Sequence, residues 1–414
     1  MTDKISEKQL ELFINNLENK LTGILSAERL LRELETELFY FDGESKRHNK
    51  LEYVLNPEKK DLPSAFILGA GISCAQPFSL PNWTELVKRV SLNYFYCTYP
   101  VGSDCDYESF YKSFENDELF YNSDLYELAQ YIENRLKADK SVSDDSDIKD
   151  RKMYTLVKNA LYNGKEQDVS VGFEDSYLYQ LASILKSNGV NRVITYNYDD
   201  CFEYAYNFNS KNRAEPVYTD DMLRRKYDES GQCYVYHVHG FIPYYTKQDL
   251  NAYEKNLSDE ELKLILSEDS YSEIAHSSYK WRNTVQVDTL LRYRCIFLGF
   301  SATDKNFKRL INLLYWHEEK GSDEFTTEDE DKNRHYIFLT IGNYIKQIFG
   351  KNALTEDFTK DITVAMAETK ARFLLQTLKD KKKYLAQVRL TPVWTTAGDI
   401  CDIVREYHKK LSDK

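Results

Sequence analysis

Six short apolar runs, each giving way to a helical pattern, constrain this chain more than any other feature: 65–68, 192–196, 233–238, 294–298, 335–341 and 388–393. Runs of that length, bounded by glycine, proline or polar residues, suit buried strands. Strands that alternate with helices favour parallel pairing, because a parallel connection needs a long crossover. The expected fold class is α/β: one doubly wound, Rossmann-like parallel sheet with N-terminal helices and helical insertions.

The first run ends in the clearest turn. Gly69 and Gly71 allow a tight bend and a close approach of the backbone to a ligand. Asn82, three residues before Glu85, has the spacing of a capping box, and Trp83, Leu86, Val87 and Val90 follow at helical intervals. Strand, bend and helix start suit a pyrophosphate. However, the bend lacks the third glycine of the dinucleotide fingerprint and the acid about 20 residues on. Alone it leaves nucleotide binding and a plain strand-to-helix turn equally open.

Three later runs also deliver polar residues to a strand's carboxyl end, the edge where open α/β sheets hold ligands. The second leads into Asn197, Asp199 and Asp200, and Asp200 with Glu203 has the spacing to cap the helix carrying Phe202, Ala205 and Tyr206. Asp199 reads equally as a ligand-facing carboxylate or a turn residue. The third holds His237 and His239, on one face if the strand stays regular. His237 is expected to be a hydrogen-bonded strand residue, whereas His239, beside Gly240 at the exit, is the better functional candidate. The fourth ends in Gly299, Ser301 and Asp304.

Elsewhere the pattern is helical. Residues 1–42 keep one apolar face through Leu10, Phe13, Ile14 and Leu17, continued by Leu21 to Leu31. The stretch at about 86–170, with a clear helix near Leu125, Leu128, Ala129 and Ile132, is too long for an ordinary crossover and is expected to be a helical insertion over the ligand crevice. Within it 139–150 reads as a solvated loop, as does acidic 318–333. Helices are expected at 177–186, stopped by Gly189, and at 259–267, 271–291 and 399–411. The expected organisation is an N-terminal helical segment, 1–62, followed by one ligand-binding domain, 63–414.

The charge balance, 55 basic against 67 acidic residues, has no long basic run and argues against a nucleic-acid-coating surface or an anionic membrane partner. No apolar run spans a bilayer and the N-terminus does not read as a signal peptide, so a cytoplasmic location is expected. Seven cysteines without a C-x-x-C pair read as free thiols, and no metal is expected. The 33 tyrosines suit large aromatic interfaces between subunits, although ordinary core and surface use explains most of them.

Together, GAGIS with LPNW, TYNYDD, HVHG and LGFSATD resemble the sirtuin-type NAD-binding domain over about residues 64–340. They are more similar still to its bacterial branch of NAD hydrolases in antiviral defence. The resemblance implies NAD+ as substrate, with Gly69, Ala70, Gly71 and Ser73 against its phosphates. Asn197 and His239 would form the catalytic pair and Asp199 would sit near the nicotinamide. Gly299, Ser301 and Asp304 would occupy the adenosine side. The implied activity is an NAD+ glycohydrolase that releases nicotinamide and ADP-ribose and depletes NAD during antiphage defence.

Two departures from the deacylating sirtuins, the missing cysteine pairs and Asn82-Trp83 where an acid and an arginine are usual, point away from lysine deacylation. The rival readings are an NAD-dependent protein deacylase or ADP-ribosyltransferase, and a non-catalytic NAD or ADP-ribose-binding assembly protein. The resemblance also implies a silent resting state, kept by homo-oligomerisation or by a separately encoded regulatory partner such as a ring ATPase of the HerA type.

Overall fold

The strands pair in parallel, as the alternation requires: Ser64–Leu68 (β1), Arg192–Thr195 (β2), Ala214–Val217 (β3), Cys233–His237 (β4), Arg294–Leu298 (β5), His335–Thr340 (β6) and Leu390–Thr395 (β7). The computed structural model describes residues 7–39, 54, 62–98, 106–114, 124–138, 146–225, 232–247, 249–277, 279–315, 335–350, 352–355 and 362–412. Two compact units divide them. One comprises Ala65–Leu291 with Ala302–Leu310, the other Met1–Ser64, Arg292–Ser301 and Ile311–Lys414.

In the first unit the strand order is β3-β4-β2-β1. Phe66 lies opposite Val193 and Leu68 opposite Thr195, while Thr195 lies opposite His237. The five residues of β1 are all buried, as expected for a parallel strand covered on both faces. β3 has no counterpart among the expected strands. Only four residues long and interrupted by Pro216, it is tolerable as the terminal strand, where a missing N–H breaks no central ladder.

The insertion is helical, as expected. Helices Trp83–Thr98, Leu125–Ala138 and Ser146–Tyr162 pack on one another. Asn82 caps the first, its Oδ1 accepting the Glu85 N–H at 3.0 Å. The loop expected at 139–150 is corrected in its second half: 146–150 open the helix that runs to Tyr162, while 139–145 lie outside the described residues. Met153, Tyr154, Val157, Ala160 and Leu161 further along that helix are buried. The single helix expected at 271–291 is two, Glu268–His276 and Trp281–Arg292. The break is held by Asn283, whose amide donates to the carbonyls of Ile274 at 2.8 Å and Ser277 at 3.1 Å.

In the second unit the order is β5-β6-β7, again with a proline, Pro392, on the terminal strand. The N-terminal helices, Glu7–Leu21 and Leu25–Phe39, are separated at Gly23 (φ 86) and pack on the long helix Val364–Ala386. Their buried faces carry Leu10, Phe13, Leu17, Leu34 and Leu38. Phe13 meets Phe349 edge-on at 5.0 Å, and Lys379 pairs with Glu33 at 2.6 Å. The acidic stretch 318–333 lies outside the described residues.

Candidate functional site

The site is assembled in the first unit, where the chain leaves β1, β2 and β4. The β2–β4 register ends with Thr195 opposite His237, so Asn197 and His239 each lie two residues beyond the end of neighbouring strands. Tyr196 N–H donates to Leu68 O at 3.0 Å and Val238 N–H to Thr195 O at 3.2 Å, so all three exits are pinned together.

After β1 the backbone at Gly69 is extended (φ −124, ψ 177) before the short 3-10 turn Ala70–Ile72. Gly69 therefore adopts a conformation open to any residue. Its carbonyl accepts the Asn197 Nδ2–H at 3.2 Å. The same nitrogen reaches Ser73 Oγ at 3.2 Å, and Ser73 donates to Asp199 Oδ1 at 2.8 Å. Asp199 also accepts the Cys201 N–H at 3.2 Å, so it is both a turn residue and a support for Ser73. Burial pushes its carboxyl pKa up, opposed by hydrogen bonds from Cys201 and Ser73. Asn197 is thus oriented through its nitrogen, which leaves Oδ1 as the atom it offers to a ligand.

This cluster is buried: Ser73 is 1% exposed, Asn197 and Asp199 6% each. Ser73→Ala removes one acceptor and one donor from it. A stability loss of about 1–3 kcal/mol is expected, read as a shifted denaturant midpoint; an unshifted midpoint would mean that the network does not hold the bend.

The expectation that Asp200 and Glu203 cap the next helix is overturned. Asp200 accepts the Tyr245 N–H at 3.1 Å, the Thr246 N–H at 2.7 Å and the Thr246 hydroxyl at 2.6 Å. Glu203 turns instead to His237 Nε2 at 2.6 Å. Two demands from further along the chain, a loop with unpaired N–H groups and a buried histidine, outcompete the local cap.

Comparing the buried histidines separates structural from chemical ones. His237 is used at both nitrogens, Nδ1 against Asn197 O at 3.1 Å and Nε2 against Glu203. His335 is likewise satisfied: its Nδ1 accepts the Cys295 N–H at 3.1 Å and its Nε2 meets the Tyr315 hydroxyl at 3.1 Å. His239, 4% exposed, has no hydrogen-bond partner at Nε2. β4 has already ended at His237, and the two side chains diverge. His237 meets Phe241 edge-on at 4.4 Å, whereas His239 stands edge-on to Tyr196 at 4.8 Å and to Tyr271 at 5.5 Å.

Burial holds the His239 pKa below 6.5, Asp304 and a hydrogen bond to the Tyr196 backbone raise it, and Arg282 lowers it. A backbone carbonyl accepts only from N–H, so Nδ1 carries the proton and Nε2 presents a lone pair. Because the folded pKa is depressed, the stabilisation is complete above the unfolded value of about 6.5 and is lost as pH falls through the lower folded value. His239→Gln is expected to lose less stability than the native chain between about pH 7.5 and about pH 5.5, measured by denaturant titration. Equal losses would mean that His239 is not buried in its neutral form.

Gly240 adopts φ 111, and a Cβ there would lie 2.7 Å from Leu264 Cδ2 and 3.0 Å from Lys263 O. The neighbouring strap is bonded to the strand exits as well: Ile265 N–H donates to His239 O at 2.8 Å, and the Tyr198 hydroxyl to Ile265 O at 2.6 Å.

Asp304 falls in the same unit, 3.3 Å from His239 Nε2 through its Oδ2. Gly299 (φ 64) and exposed Ser301 belong to the other unit. Tyr271 and Arg282 are absent from the motifs because they sit in helical stretches with no local signal. Arg282 is 6% exposed, and its Nε and Nη2 have no partner. It belongs to the helix that Tyr196 reaches through a hydrogen bond to Gln286, whose own amide donates to Arg282 O at 2.8 Å. Among the described residues no group of three or more His, Cys, Asp or Glu is placed to hold a metal ion, and no helix is long and apolar enough to cross a membrane.

Parallel strands between helices, with polar residues gathered where the strands end, define a Rossmann-like α/β protein. Residues 191–352 match the family model described as a SIR2-like domain, which supports a sirtuin-like family. The match takes in TYNYDD, HVHG and LGFSATD and begins after the glycine bend. SIR2-like domains bind NAD+, which gives the coarse class of chemistry. No curated protein matches the chain.

Proposed function

We propose that this protein is an NAD+ hydrolase that cleaves the nicotinamide–ribose bond and releases nicotinamide and ADP-ribose. One observation carries the reading: on adjoining strand exits, a buried asparagine fixed through its nitrogen keeps its oxygen free, and a buried histidine keeps Nε2 free. An unpaired buried atom such as Nε2 is costly, and a ligand in the site would supply its partner.

The leaving group needs no acid. Nicotinamide departs from a cationic pyridinium as a neutral molecule, taking the electron pair of the C1′–N bond. Water forms the new C1′–O bond and loses a proton. His239 Nε2 is the acceptor for that proton, and Asn197 Oδ1 the acceptor that orients a ribose hydroxyl or the water. Burial of both excludes competing solvent.

Arg282 supports an anionic ligand. Its guanidinium lies over the Trp281 ring at 5.2 Å, but two buried N–H-bearing nitrogens, Nε and Nη2, make no hydrogen bond, a desolvation cost that a phosphate would relieve. Arg282→Met is expected to raise KM for NAD+ by about tenfold or more with a smaller effect on kcat. Steady-state kinetics decide this, and an unchanged KM would remove Arg282 from substrate binding.

The reading itself is tested by incubating the purified chain with NAD+ and identifying products by liquid chromatography. Nicotinamide with ADP-ribose supports it; bound but intact NAD+ would favour the non-catalytic reading. An antiphage role, with NAD depletion held in check by homo-oligomerisation or a separately encoded partner, is the biological setting that the resemblance suggests for such an activity.

A further inference from the structure

His239 and Asp304 come from separate segments of the unit and meet with both side chains almost wholly buried, 5% and 9% exposed. Their closest atoms, Nε2 and Oδ2, are 3.3 Å apart, yet Nε2 makes no hydrogen bond. The carboxylate is already engaged elsewhere. Its Oδ1 accepts the Phe307 N–H at 2.7 Å, capping the helix Lys305–Tyr315, and its Oδ2 accepts the Tyr271 hydroxyl at 2.7 Å. Tyr271 is itself held, edge-on against the His239 ring on one side and against Tyr126 at 4.8 Å on the other. Asp304 is therefore fixed beside the histidine nitrogen and out of line with its lone pair.

We propose that Asp304 and Tyr271 are positioning residues for His239: the tyrosine hydroxyl holds the carboxylate to one side of Nε2, so the lone pair stays open to a substrate proton while the positive charge it acquires meets a negative one. The proposal rests on the reading of His239 as the base. In the balanced step, a water lone pair forms the C1′–O bond while the C1′–N bond breaks and its electron pair leaves with nicotinamide; the water O–H bond breaks, its pair stays on oxygen, and the proton passes to Nε2. The product is an imidazolium flanked by Asp304. An in-line carboxylate would instead occupy Nε2 before substrate arrived, and a missing one would leave the imidazolium with only the Tyr196 carbonyl against the opposing Arg282 charge.

The groups facing His239 are Asp304, Arg282 and the Tyr196 backbone, with the rings of Tyr196 and Tyr271 beside it. Around Asp304 stand Tyr271, Tyr126 and Tyr198. Burial raises the hydroxyl pKa of Tyr271 and Tyr198 well above the usual value and that of Tyr126 to about 12, so these are neutral and Tyr271 remains a donor. Lys305 lies over the Tyr126 ring at 4.1 Å, one shell further out.

Two substitutions separate this arrangement from mere packing, because it gives them opposite signs. Asp304→Asn removes the charge and keeps a good helix cap; it is expected to lower the His239 pKa by about one unit or more. Tyr271→Phe keeps the ring and frees Oδ2 to swing in line, which is expected to raise it. The measurement is a pH titration of the His239 ring resonance in the full chain labelled at histidine Cε1, assigned by its loss in His239→Gln, alongside the pH profile of kcat/KM for NAD+. A fall in Asp304→Asn, a rise in Tyr271→Phe and acid limbs that follow them establish the pair. Unmoved midpoints, or shifts of the same sign in both, overturn it. Should Asp304→Asn fail to fold, the sign in Tyr271→Phe alone decides. If the titrations shift as expected while the native chain releases no nicotinamide, the hydrolase reading fails and the coupling stands.

Discussion

His239→Ala is expected to lower nicotinamide release by about 10²–10⁴-fold with the fold intact. Of the two histidines at this strand exit, only His239 keeps a ring nitrogen without a hydrogen bond, since His237 is consumed by Glu203 and Asn197 O. The loss is expected in kcat more than in KM, because proton transfer belongs to the transition state. Asn197→Ala is expected to act in the same direction and to loosen the glycine bend as well, since Gly69 O and Ser73 lose their donor. Assays of purified variants with matched circular dichroism spectra check both, and near-native rates in both would detach these residues from the chemistry.

The largest effect on stability is expected from Asp200→Ala. Its carboxylate is wholly buried and receives three donors from Tyr245 and Thr246. Truncation leaves two backbone N–H groups and a hydroxyl without an acceptor, at a cost of about 3–5 kcal/mol. These donors anchor a loop that Phe78 and Tyr204 pack against through Tyr245, with Phe78 and Tyr245 rings at 4.7 Å and Phe173 against both Phe78 and Tyr204. A fall in the urea midpoint equivalent to that loss is the expected result, and a shift equivalent to less than about 1 kcal/mol would show that the loop has another anchor.

Much of this architecture was legible in the sequence because its signals are local. Apolar runs at 65–68 and 233–238 suit buried strands, and Asn197, His239 and Asp304 stand out by lying beyond the points where such runs stop. What was illegible depends on partners distant along the chain. Asp200 and Glu203 have the spacing of a cap, and only the folded chain reveals that a loop 45 residues on and a histidine 34 residues on claim them. β3 was missed because four residues with a proline carry almost no periodicity, and Tyr271 because nothing nearby distinguishes it from 32 other tyrosines.

The strap at 263–265 has a mechanical consequence. Gly240 lies too close to it for any side chain, His239 shares a backbone bond with it, and Tyr198 holds it from the next strand. Base and strap therefore travel as one piece. Any breathing of the protein that displaced this rim would drag the imidazole with it, so traffic of a bulky dinucleotide that leaves the base in register has to use a different side.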